Sequence, residues 1–221
     1  GKPYLFLGEP KDSIAKSQQV SVLVTATQTA YTFNCGAVNL RVTFSSPLLM
    51  NELNILSRPV SYITTELVST DQEKHEVQLY IGVSTMLTVN DPAEEVTAES
   101  YKKNQLDILK AGTRTQSVLQ KKGDDVRINW GYVYAGVAEQ YGCRQYITYD
   151  NLVTDFFNRP SFDHNSPVTG KKLLLNTVFP VSSVGIDTVK RFMLIAYDDI
   201  FSIEYFSRKL PAWWKKAGAT I

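Results

Sequence analysis

Histidine and cysteine are nearly absent from this chain of 221 residues: it holds only His75, His164, Cys35 and Cys143. With no His-Glu-x-x-His run and no paired-cysteine spacing, a zinc-type ligand set cannot be assembled. Both histidines fall in polar surroundings, His75 at a turn and His164 in a Pro/Ser-rich loop, where plain solvent exposure is expected. Calcium needs only carboxylate and carbonyl oxygens, and the nearest grouping of that kind is Asp150-Asn151 with Asp155. That grouping is thin, so no metal is expected. No phosphate-cradling loop, dinucleotide fingerprint or GxSxG elbow occurs either, so no cofactor is expected. Two cysteines are too few for a disulfide framework. They bridge only if their Cα atoms come within about 7 Å, and two separate buried thiols are the simpler expectation.

A surplus of one charge is also missing, since 23 Lys+Arg stand against 22 Asp+Glu. A dedicated nucleic-acid surface normally shows as a basic excess or stripe, and the pairs Lys121-Lys122 and Lys215-Lys216 are too short to supply one. No apolar run approaches the roughly 20 residues that cross a bilayer. The chain opens Gly1-Lys2-Pro3 without an initiator Met, which reads as a trimmed start.

What is present suits sheets. Apolar residues make up 43% of the chain, and 12 Tyr, 10 Phe and 3 Trp supply large amphipathic rings. Val20, Val22 and Val24 share one face of a β-branched run. Val38, Leu40, Val42 and Phe44 then alternate with Asn39, Arg41 and Thr43, the mark of a half-buried strand. Ser46-Pro47 ends it. Residues 60–69 and 75–89 read as a long hairpin about the polar turn 70–74, and residues 91–113 as a loop with shorter strands. Order returns at residues 116–120. Beyond Gly123-Asp124, Val126, Ile128, Trp130, Tyr132 and Tyr134 alternate on one face. Residues 150–158 suggest a short helix or irregular loop, 161–170 an exposed loop, and 173–179 and 191–197 further strands. Leu210-Pro211-Ala212-Trp213-Trp214 reads as a helix start, with two tryptophans that need covering. The fold class expected is an all-β, mainly antiparallel sandwich or supersandwich with minor helical segments.

Candidate chemistry is sparse. Asp198 and Asp199 interrupt two apolar runs, and alternation turns one of them inward. Neighbouring acids can split their pKa values into an acid and a base. A structural use, in which one Asp caps a bend and the other faces water, is the simpler reading of the residues. Asp124-Asp125, beside a Gly turn, reads as structural. Trp130, Tyr132 and Tyr134 form the candidate ligand-binding surface, because aromatic platforms stack on sugar rings as readily as they pack a core, although regular alternation inside a strand favours packing.

Three runs carry a resemblance. Residues 31–49 open Tyr31-Thr32-Phe33-Asn34-Cys35-Gly36 and close Ser45-Ser46-Pro47-Leu48-Leu49. The second is Gly123-Asp124-Asp125-Val126-Arg127-Ile128-Asn129-Trp130-Gly131-Tyr132. The third, residues 193–206, contains Tyr197-Asp198-Asp199-Ile200-Phe201-Ser202-Ile203-Glu204-Tyr205-Phe206. Together they resemble the glutaminase A family of bacteria and fungi. The resemblance implies an amino-terminal β-sandwich accessory domain over residues 1–207, long catalogued as a domain of unknown function. Residues 208–221 would then begin a linker or helix leading to a larger helical domain of the same polypeptide, its partner, contacted through Trp213 and Trp214. The implied parent hydrolyses L-glutamine to L-glutamate and ammonia and is secreted, periplasmic or at the cell surface. No catalytic residue transfers with the resemblance. On this reading the chain is a non-catalytic accessory domain, inactive alone, that shapes the cleft of a hydrolase. The alternatives are a carbohydrate-binding or accessory domain of a glycoside-hydrolase-like enzyme, and an independent hydrolase using Asp198 and Asp199.

Overall fold

The computed structural model describes residues 1–8, 14–121, 123–124, 127–150 and 167–221. The expected helix or loop at 150–158, the thin calcium grouping of Asn151 and Asp155, and His164 lie outside the described residues. The described chain is all-β and almost wholly antiparallel, with a few short helical turns.

In chain order the first strands are β1 (Tyr4–Leu5), β2 (Ala15–Lys16), β3 (Gln18–Val24), β4 (Gln28–Asn34), β5 (Val38–Ser45), β6 (Val60–Ser69) and β7 (His75–Val77). Then come β8 (Tyr80–Ser84), β9 (Val96–Lys103), β10 (Leu106–Thr113), β11 (Tyr132–Ala138), β12 (Arg144–Tyr149) and β13 (Val168–Gly170). The last are β14 (Leu173–Val178), β15 (Ser182–Val184), β16 (Val189–Asp198), β17 (Ile203–Tyr205) and β18 (Arg208–Leu210). The chain divides into two compact units, residues 1–46, 61–79 and 180–193 in one and 47–60, 80–179 and 194–221 in the other.

The first unit is built on the run β6-β5-β4-β3. The alternation read from residues 38–44 is realised: Val38, Leu40 and Val42 are buried on β5 while Arg41 is exposed. Across the ladder Leu40 lies opposite Phe33 of β4 and Leu67 of β6, so apolar residues of three strands meet on one face. Such cross-strand apolar pairs are the unit of sheet stabilisation. The outermost strand, β3, is exposed along its whole length. Beside this run lie the parallel pair β1–β2 and the antiparallel pair β7–β15.

The second unit is a two-layer sandwich. One layer has the order β13-β9-β10-β11, followed by residues 194–198 of β16, and the other has the order β12-β14-β8. Val96, Ala98, Leu109, Ala111, Val133, Ala135 and Val137 line the inner face of the larger layer, opposite Leu173 and Leu175. Gln145 ties the layers, donating to Ala135 O at 3.3 Å and to Thr177 Oγ1 at 3.1 Å.

Local expectations fail at five places, one being the loop expected over 161–170, whose residues 168–170 form β13 against β9. The strand expected over 75–89 is cut into β7, β8 and a 3-10 turn at Thr85–Thr88, and β7 and β8 pair with β15 and β14 rather than with β6. Residues 91–113 hold the well-formed hairpin β9–β10, closed by Asn104 and Gln105. Residues 116–120 form no strand, and Leu119 takes a left-handed φ of 56°. Finally, β11 begins only at Tyr132, because Gly131 turns the backbone with φ 85°.

The expected helical partner domain must also be corrected. Among the described residues the one α-helix is Leu53–Leu56, four residues long. Residues after 207 form strand β18 and the 3-10 turn Trp213–Gly218, and they belong to the sandwich unit. Trp214 is buried there at 3% exposure while Trp213 stands 52% exposed, so one of the two rings finds its cover within this chain.

Candidate ligand-binding face

The outer face of the larger layer of the sandwich is not solvated in the usual way. Alternation along β9, β10, β11 and β16 brings Glu99, Tyr101, Ile108, Lys110, Tyr132, Tyr134, Ala196 and Asp198 to this side. Tyr134 stands opposite Lys110 on one side and Ala196 on the other, and Tyr132 stands opposite Asp198. Ile108, Tyr134 and Ala196 make a buried apolar centre, against which Val60, Tyr101, Leu106, Tyr132 and Ile221 pack half-buried.

Tyr132 occupies a built seat. A Cβ placed on Gly112 would fall 2.6 Å from the Tyr132 ring and 2.4 Å from Gly131 O, so the ring covers bare backbone that only glycine leaves open. Lys110 Nζ sits 4.2 Å from the Tyr132 ring centre, a cation over a π-face. The same ammonium pairs with Glu99 at 2.9 Å.

At the opposite edge Asp198 pairs with Lys215, both side chains only 16% exposed. Asp198 Oδ1 also accepts from Ile200 N at 2.8 Å, and Lys215 Nζ donates to Ile200 O at 3.0 Å. These bonds hold Ile200 at φ 63° and tie the carboxy-proximal turn to the end of β16. Asp199 follows, half-buried, and its carbonyl accepts from Phe201 N at 2.6 Å. One carboxylate is thus committed to an ion pair and a backbone bend, which fits the structural use of this acidic pair.

Trp130 is half-buried just before the strand. Its carbonyl accepts from Tyr197 Oη at 2.6 Å, and its indole Nε1 is buried with no hydrogen-bond partner among the described residues. Gly131 N donates to Gln116 Oε1 at 2.6 Å. Burial first, then the charge of Asp198, pushes the Tyr134 phenol well above its ordinary pKa. Burial, then Asp199 and Asp198, does the same to Tyr197. Elsewhere, His75 pairs with Asp71 at 2.8 Å at an open turn. Cys35 and Cys143 both remain thiols. Among the described residues no group of three or more His, Cys, Asp or Glu could hold a metal ion.

Tyr132, Tyr134 and Asp198 were expected from their alternation, and the fold brings them onto one face. Tyr101, Glu99, Lys110 and Lys215 were not anticipated. The first three lie in the segment read as a loop, and Lys215 reaches Asp198 only through the fold. Asn104, a residue tolerant of left-handed turns, was the one local sign of the β9–β10 hairpin.

The chain belongs to the family "Domain of unknown function (DUF5127)", whose model matches residues 27–221. No curated protein sequence matches it. Among solved structures it is similar to a candidate kojibiose phosphorylase from human microbiome, with 10% identity and a TM-score of 0.38 over 77% of this chain and 17% of that one. A candidate aldose 1-epimerase from Escherichia coli K12 gives 7% identity and a TM-score of 0.39 over 84% of this chain and 69% of that one. Heparan sulfate lyase HepC from Pedobacter heparinus gives 8% identity and 0.30 over 83% and 22%. The chain thus spans about a sixth of the first of these proteins. The family match overturns the glutaminase A reading: the family over residues 27–221 is described as a domain of unknown function, with no activity assigned. The roles that followed from that reading, accessory domain of an exported glutaminase and amidohydrolase parentage, fall with it.

Proposed function

We propose that this DUF5127 domain is a carbohydrate-binding or accessory module of a glycoside-hydrolase-like enzyme, binding sugar on the outer face of its larger sheet. One observation carries the reading. The half-buried rings of Tyr101 and Tyr132 share a sheet face with two ion pairs, Glu99–Lys110 and Asp198–Lys215. The Tyr101 ring offers apolar surface to the C–H groups of a pyranose, the Tyr132 ring, capped by Lys110, offers its edge, and flanking charged groups offer donors and acceptors to its hydroxyls. A few fixed polar groups around an aromatic surface is the usual make-up of a small-ligand site.

Binding without turnover is the reading supported by the engagement of Asp198. Its Oδ1 already accepts from a backbone amide and pairs with Lys215.

The test is a glycan array followed by calorimetric titration of the best ligands. Wild-type protein binds one class of saccharide, and Tyr132→Ala and Tyr101→Ala each weaken it by roughly tenfold, the scale of one lost aromatic contact. An array with no positive glycan, or binding that survives both substitutions, rejects the proposal.

A further inference from the structure

Strand β3 is an edge without the usual guards. Natural edge strands are blunted by lysine, proline, brevity or a covering element. Here the strand runs seven residues, Gln18–Val24, and every one of them is exposed. Val20, Val22, Leu23 and Val24 are 61%, 50%, 57% and 68% exposed. Neither a charged residue nor a proline occurs anywhere in residues 17–40, the stretch that carries both β3 and its sole neighbour β4. The single irregularity is a bulge between Gln19 and Ser21, which leaves Val22–Val24 in regular register with Tyr31, Ala30 and Thr29.

We propose that this edge pairs with the same edge of a second copy of the chain, antiparallel and centred on Leu23. The sequence around Leu23 is self-complementary. Two-fold pairing there sets Leu23 against Leu23 on one face and Val22 against Val24, twice, on the other. A two-fold interface uses the same patch on both partners, and an apolar, charge-free strand meets its own copy without like-charge repulsion. A partner of opposite charge has nothing here to recognise. Among the described residues each copy offers one such edge, so assembly stops at the dimer. In this register only Val22–Val24 of each strand face one another, because residues 25–27 already turn toward β4. So short a contact buries far less than the roughly 800 Å² per partner of stable complexes, and the dimer forms only toward the top of the micromolar range.

Sedimentation velocity of the full chain across micromolar to sub-millimolar protein tests this. The expected result is a reversible monomer–dimer equilibrium. Leu23→Lys places two ammonium groups face to face and weakens it by roughly tenfold or more. Leu23→Val preserves it, and circular dichroism of both variants matches wild type because the side chain is exposed. Hydrogen exchange adds a second readout: amides of β3 gain protection as concentration rises in wild type but not in Leu23→Lys. A monomer at every concentration, a dimer indifferent to Leu23→Lys, or growth beyond the dimer overturns the proposal.

Discussion

Lys110 Nζ rests 4.2 Å above the Tyr132 ring, whose other support is the bare backbone of Gly112. The ring is thus held by a cation and a missing side chain. Gly112→Ala is expected to destabilise the protein by about 2–4 kcal/mol, because the new methyl would meet a backbone oxygen, Gly131 O, that cannot swing aside. Urea denaturation checks this, and an unchanged midpoint would refute the seat. Lys110→Met should cost only about 0.5–1 kcal/mol, the scale of a cation–π contact near the surface.

The Asp198–Lys215 pair gives a second expectation. Lys215→Met leaves a mostly buried carboxylate without its partner, and a loss of about 2–3 kcal/mol follows. Asp198→Asn in the same chain should recover much of that loss, since the stranded charge is then gone. Additive effects in the double variant would show that the two groups do not act as a pair.

A third expectation concerns alkaline pH. Tyr80 Oη donates to Asn176 Oδ1 at 2.7 Å, and burial pushes its phenol up to about 12 from 10.0. An acid whose folded pKa is raised stabilises the fold fully below its unfolded pKa. That contribution is lost as pH climbs from 10 through about 12. Tyr134, Tyr146 and Tyr197 are raised in the same direction, each chiefly by burial. Melting temperature should therefore fall with a steep slope above pH 10. Tyr80→Phe should make the slope shallower while costing about 1–3 kcal/mol at neutral pH, because Asn176 Oδ1 loses its donor in a buried site. Equal slopes in the two proteins would contradict the linkage.

The β9–β10 turn offers a gain. Asn104 and Gln105 both adopt left-handed φ, at 51° and 63°, as a two-residue hairpin turn demands. Glycine takes the second position without strain, so Gln105→Gly should stabilise the hairpin by about 0.5–1 kcal/mol. A higher denaturation midpoint is the readout, and a lower one would show that Gln105 has a role outside the turn.

The sheets were legible where side chains differ sharply between faces. On β5 the contrast of Val38, Leu40 and Val42 with Arg41 announced strand and orientation together. On β9 and β10 the inner face mixes Val96 and Leu109 with the small Ala98 and Ala111, while Lys102, Lys103, Asp107 and Lys110 crowd the segment. Hydropathy contrast is weak there and the hairpin was hidden. Tyr132 and Tyr134 could be found by alternation, but Trp130 could not be placed with them. The left-handed Gly131 between Trp130 and Tyr132 interrupts a pattern that reads continuously in the sequence. Lys215 and Asp198 meet because the chain folds back after β18, and local spacing carries no trace of that.

The uncharged stretch that includes β3 has a kinetic meaning as well. Ions in solution screen fields, and residues 17–40 project no formal charge of their own to screen. A partner on that edge therefore meets no charge from the strand itself, and any salt dependence of its arrival comes from the rest of the surface. Salting-out agents, which strengthen apolar burial, should instead tighten the contact.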